Sequence, residues 1–168
     1  LIELLIFAAI FSGAAIIFIT LLVSTPQVQV RQSAAAEVQQ QSRFLLQTIQ
    51  RYVETASLID MDPNVASSGV RFRMSDQNQD HVAIYVENEQ AFLRVVNVPL
   101  GTTTTSTLTN TAVKVTDMKF IKRVHPPARP SVEVAFTMEF NTVNLKRQFS
   151  DALQTTVVQV NAATFDSD

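Results

Sequence analysis

The chain has 168 residues, a formal net charge of −2 at pH 7, 46% hydrophobic residues and no cysteine. That length holds one modest core besides any membrane segment, and the near-neutral balance excludes a global pull toward nucleic acid or anionic lipid. Without cysteine, a disulfide framework, a zinc knuckle and a thiol nucleophile are excluded, so any folded head is held by packing alone.

In chain order, the first element is the apolar run from Leu1 to Ser24, interrupted only by Glu3. Residues 4–23 carry no charge, and about twenty such residues are what a helix needs to cross roughly 30 Å of hydrocarbon. A carboxylate costs about 2.5–3.5 kcal/mol near a bilayer centre and less near an interface, so Glu3 needs a partner. A secretory signal would open on basic residues and carry a shorter apolar stretch; here no Lys or Arg precedes Arg31. A generic signal anchor would want several basic flanking residues, and Arg31 alone offers that.

The stretch Leu1-Ile2-Glu3-Leu4-Leu5-Ile6 resembles the processed N-terminus of type IV pilins and type II secretion pseudopilins. In that family a leader ends in Gly, the mature chain opens on a methylated Phe or Met, and Glu stands at its fifth position ahead of a long apolar helix. The family pattern expects two residues ahead of Leu1: either they precede this stretch, or processing differs. The resemblance is close over residues 1–25 and beyond them holds as general architecture. It implies a structural subunit that polymerises through its apolar helix into a helical homo-oligomeric filament. It further implies prepilin peptidase and pilus assembly machinery as partners, no cofactor, the inner membrane as location before assembly, and the extracellular cell surface after it. Adhesion, motility, DNA uptake and secretion are the roles such filaments serve. Glu3 would set the axial register by pairing with the α-amino group of an adjacent subunit. Family members often carry a helix-breaking proline nearer the middle of the span, at a position that here is Thr20, which leaves Gly13 and Pro26 as candidate breaks. Many also close a C-terminal loop with a disulfide, which this chain cannot form.

After the span, Pro26 lacks an N–H and its ring presses on the carbonyl of Leu22, predicting a kink or an unwound stretch with Thr25 and Pro26 restarting the helix. From Gln27 to Ile59 there is no Gly or Pro. Val38, Leu45, Ile49, Val53 and Ala56 recur at three- and four-residue steps or their sums, an amphipathic continuation that packs on something outside the bilayer. Asp60-Met61-Asp62-Pro63-Asn64 ends the helix. Strands follow: Val70 to Met74, Val82 to Val86, Ala91 to Val98, and Val113 to Val124 with a break near Asp117. Ser131 to Phe140 alternates strictly, and a last strand lies around Leu153 to Val160. The threonine-rich stretch Gly101 to Thr111 reads as a loop. The fold class is α+β, pilin-like: residues 1–26 as transmembrane or filament-core helix, 27–60 as its amphipathic continuation, and 61–168 as a β-rich head with the helix packed on an antiparallel sheet.

Candidate chemistry is sparse. Asp76, Asn78 and Asp80 have calcium-loop spacing, with Glu87 where an EF-hand places its bidentate ligand. His81 occupies the position that needs Gly, and a polar hairpin turn accounts for the same residues. His81 and His125 stand in separate segments without a nucleophile motif, and the three glycines are isolated, so the chain does not read as an enzyme. Lys114, Lys119, Lys122, Arg123 and Arg129 form a basic stretch opposed only by Asp117. It is a solvated strand face that discourages edge pairing or, alternatively, a DNA-contacting patch. Two functional classes remain: a filament subunit, major or minor, of a pilus or secretion pseudopilus; and a membrane-tethered binding module that meets DNA or a host surface without polymerising.

Overall fold

The computed structural model describes residues 2–161; the side chains of 21–27 and of Lys146 are outside that description, as are Leu1 and residues 162–168, which belong to the motif and to the head range. One helix, α1 (Ile2–Thr55), precedes nine strands: β1 (Leu58–Asp60), β2 (Ala66–Ser67), β3 (Gly69–Arg73), β4 (Val82–Glu87), β5 (Gln90–Asn97), β6 (Thr102–Thr107), β7 (Val113–Arg123), β8 (Ser131–Phe140) and β9 (Ser150–Val158). The chain is therefore α+β, with an apolar N-terminal helix and antiparallel sheets.

At 1.5 Å per residue α1 is about 80 Å long. Its apolar stripe Val38, Leu45, Ile49 and Val53 is fully buried, joined at its start by Ala34 and just past its end by Ala56. The helix is continuous across Gly13 and Pro26, so the unwound stretch predicted at Pro26 does not occur. Proline removes one amide donor, and the bonds of the flanking turns still carry the helix through that point. The C-terminal end falls at Thr55 rather than near Ile59. Ser57 donates both its N–H (2.9 Å) and its Oγ–H (2.9 Å) to the carbonyl of Arg73, which starts β1 pairing with β3. Ile59 extends the helical spacing of the stripe, yet reaches the same core from a strand.

The head contains two sheets where a single one was expected. The five-stranded sheet runs in the order β1-β3-β4-β5-β6 and the four-stranded sheet β2-β7-β8-β9. α1 lies along β7, β8 and β9, while β3 and β5 meet β7, so both inner faces share one apolar cluster that includes Phe72, Ile84, Phe120, Val134 and Met138. Thr102–Thr107 corrects the loop expectation: it is an edge strand paired with β5 and exposed on every residue. Threonine is β-branched and favours extended backbone, and an edge strand solvated on both faces needs no apolar alternation to announce it. The break expected near Asp117 is present: the β7–β8 register shifts between Thr116 and Lys119, and Asp117 has φ 52°. β9 begins at Ser150, earlier than the apolar residues indicate.

Buried polar groups are accounted for among the described residues. Ser42 Oγ meets Met138 Sδ (3.4 Å), Gln159 Nε2 donates to the Ala56 carbonyl (2.9 Å), and Thr109 Oγ1 accepts from the Ala91 N–H (3.1 Å). Two of these three tie α1 or the residue after it to the four-stranded sheet and its flank, fixing the rod's angle to the head.

Candidate functional site

Residues 2–20 form a segment long and apolar enough to cross a membrane, and no part of it is covered by the rest of the chain. Leu4, Leu5, Phe7, Ile10, Phe11, Ile17 and Phe18 are all more than three-fifths exposed. Such an apolar surface in a folded protein calls for lipid or protein around it. Glu3 lies in the first turn, where a carboxylate complements the positive end of the helix dipole, and it makes no ion pair among the described residues.

On the head, an open trough of about 640 Å³ lies on the outer face of the five-stranded sheet. Strand register builds it. Asp60 pairs with Arg71, Arg71 with Ala83, and Ala83 with Arg94, so two arginines face each other across a small side chain, about 10 Å apart at two strand spacings. The neighbouring row runs Gly69, Tyr85, Phe92. A Cβ on Gly69 would stand 3.1 Å from Tyr85 Cβ and 3.2 Å from the Ile84 carbonyl, so glycine both permits the close approach and keeps the floor low. Arg94 lies over the Tyr85 ring at 5.1 Å and donates to its hydroxyl (3.2 Å), while Phe92 stacks with that ring at 5.7 Å. The Arg94 guanidinium is held in place by these contacts and has no carboxylate partner among the described residues. Arg71 has only a loose contact with Asp60, 3.6 Å with both side chains more than half exposed. A second hollow, bordered by His81, shares Arg71, Ala83 and Arg94. The arrangement can receive an anionic group; it offers no nucleophile–base pair.

The four candidate calcium ligands are not assembled into one site. Asp76 caps the short 3₁₀ turn Gln77–Gln79, accepting from the Asn78 backbone N–H (2.9 Å) and from Asn78 Nδ2 (3.0 Å). Asp80 turns the other way and takes two bonds from Arg73 (2.9 and 2.8 Å), with further bonds from the N–H groups of Met74 and His81. Partial burial alone would raise the Asp80 pKa; those hydrogen bonds and the Arg73 charge outweigh it and hold the carboxyl below the usual range. Glu87 ends β4 opposite Gln90. Among the described residues no group of three or more metal-ligating side chains forms.

The basic stretch is dispersed in the same way. Lys114 is paired with Glu89 (2.6 Å), Lys122 Nζ donates to the Ile59 carbonyl (2.8 Å), and Arg129 donates to the Val160 carbonyl. Arg123 binds Glu133 through two nitrogens (3.2 and 2.8 Å) and Asn64 through a third (3.1 Å). Those bonds, with one from Gln154, hold the Glu133 carboxyl below its ordinary pKa. Lys119 is exposed and makes no ion pair among the described residues. These cations mostly staple loops and strands, and they do not present one phosphate-binding face. His125 lies in the β7–β8 connection and does not line the second hollow that His81 borders.

Sequence reasoning missed the trough. Strand alternation already puts Arg71, Tyr85 and Arg94 on outward positions, but the register that sets Arg71, Ala83 and Arg94 in one row is a pairing property with no local signal. No protein-family model matches the chain, and no curated protein or solved structure matches it either.

Proposed function

We propose that the chain is a structural subunit of a type IV pilus or related secretion pseudopilus, built into a helical filament through the apolar half of α1. The observation that carries this reading is the single rod: an uncovered apolar half with Glu3 at its tip, continuous with a half docked into a β-rich head. The pilin-like start of the sequence and the α+β layout support it. Before assembly, residues 4–23 hold the protein in the inner membrane; on extraction the same helices pack against one another and the heads decorate the outside. Apolar burial holds the polymer, at about 25 cal/mol per Å² removed from water. Transfer from lipid gains less than transfer from water, so an assembly machinery supplies work. Glu3 is neutralised in the core by the α-amino group of an adjacent subunit, and breaking such a buried pair costs about 3–5 kcal/mol.

Negative-stain microscopy of sheared surface material, with peptide identification of this chain, tests polymerisation directly. Glu3→Ala is expected to leave membrane insertion intact and abolish incorporation; normal filaments from that variant would refute the pairing.

The trough favours a second reading, a membrane-tethered binding module that does not polymerise. There the Arg71–Arg94 pair receives a carboxylate or phosphate of a ligand. A chain found in membranes and never in sheared filaments, whose ligand binding is lost in Arg94→Ala, would favour it over the filament.

A further inference from the structure

The connection between β8 and β9 carries two apolar side chains that nothing in the head covers: Val143, at 105% of its reference accessibility, and Leu145, at 83%. Lys146 and Arg147 follow directly. The rest of this loop is well anchored: Phe140 N–H bonds to the Phe149 carbonyl (2.9 Å), and Asn141 bonds to the Ala112 and Thr111 carbonyls (2.8 and 3.0 Å). The exposed tip therefore stands on a fixed base.

Its place along the rod follows from the packing. Met138 of β8 meets Ser42 of α1, whereas at the far end of the helix Glu54 accepts from the N–H of Val160, just beyond β9. β8 thus runs toward the N-terminal half of α1. Two residues past Met138 is about 6.6 Å at strand rise, level with helix residue 38 at about 1.5 Å per residue. The loop continues in that direction, and its 3₁₀ turn Leu145–Arg147 lies against α1, whose first buried residue is Ala34. From Pro26 to Ala34 the helix rises about 12 Å. The headgroup layer on each side of a bilayer is about 5–8 Å deep. A helix tilt of about 20° toward the loop lowers a head set some 10 Å off the axis by about 3 Å more, and the tip side chains cover the rest. Of the acidic groups at this end, Glu89 is tied to Lys114 and Glu37 to Asn110, while Glu87, in the same hairpin as Glu89, is exposed. Glu139 and Asp151 sit back in β8 and β9. Arg31 on the helix and Arg147 in the loop are both exposed.

We propose that the tip of this loop is a second membrane contact: Val143 and Leu145 enter the interface of an anionic bilayer while Arg147 meets its headgroups. The proposal rests on residues 4–23 spanning the membrane. It goes beyond that reading by giving the unassembled head a fixed seat on the lipid surface.

The chain contains no tryptophan, so a single introduced one is the sole indole emitter. Full-length Val143→Trp is reconstituted in phosphatidylcholine vesicles with and without phosphatidylglycerol, with brominated acyl chains as quencher. Phe11→Trp reports the span, and Leu100→Trp, on the exposed β5–β6 turn, serves as the head control. The expected result is quenching and a blue shift for Val143→Trp with the anionic lipid, and neither for Leu100→Trp. Adding Arg147→Gln should lower interfacial occupancy about fivefold, and Arg147→Glu should lower it further. If Phe11→Trp is quenched while Val143→Trp keeps a water-exposed spectrum in both lipids, the loop contact is overturned and the span stands. If Phe11→Trp is itself unquenched, the spanning premise fails and the proposal falls with it. A Val143→Trp signal that the charge variants do not change overturns the headgroup part. Val143 has no packing partner to lose, and unchanged circular dichroism of each variant keeps the comparison valid.

Discussion

Asp80 shows how one side chain can look like a ligand and act as a strut. Its carboxylate gathers bonds from the Arg73 guanidinium and from two backbone N–H groups, and so locks the β3–β4 connection against the end of β3. Its folded pKa is depressed, so its contribution to stability is fully present above the unfolded value of about 3.9 and is lost as pH falls through the lower folded value. Asp80→Asn is expected to cost about 1–3 kcal/mol at neutral pH. The gap between variant and parent should close on acidification below that window, read as the difference in Tm of the full chain in detergent. Calcium would not change the Tm of either protein on this account, because Asp80 is already engaged. The sequence spacing of Asp76, Asn78, Asp80 and Glu87 was legible; the competing arginine sits seven residues before Asp80, at the end of β3, and spacing does not register competition.

At the scale of elements, periodicity carried the helix and most strands. The burial of Val38, Leu45, Ile49, Val53 and Ala56, and the inward set Val132, Val134, Phe136 and Met138, follow the 3.6- and 2-residue periods. Ile49→Ala should therefore cost about 2–5 kcal/mol, because the cavity lies between a rod and a sheet that cannot both collapse onto it; thermal or denaturant unfolding measures it. The bulge at Asp117 makes a sharper test. Its φ of 52° is poorly tolerated by a β-branched side chain. Asp117→Val should lose about 1–2 kcal/mol, whereas Asp117→Gly should be neutral or stabilising in the same melts. β6 escaped detection because an edge strand of threonines has no buried face to impose a pattern, and the end of α1 was overrun because Ile59 satisfies the helical spacing while sitting in a strand.

For the whole molecule, the described core begins at Ala34 and closes without any contribution from the uncovered apolar half of α1. Removing residues 1–27 is thus expected to leave a soluble head that unfolds in one cooperative transition with a Tm near that of the full chain; loss of cooperativity would show that the rod contributes to the head's stability. The apolar span, its lone acid, the amphipathic continuation and the α+β class were determined by the sequence itself, since each is a local pattern of polarity against a fixed helical or strand period. Division of the head into two sheets, the facing of Arg71 and Arg94 across Ala83, the dispersal of the basic residues among separate partners, and the approach of the Leu145–Arg147 turn to α1 were decided only by the tertiary structure. Each depends on which strands pair and in what register, and that is settled by contacts between residues far apart in the chain, whose combined burial no local pattern encodes.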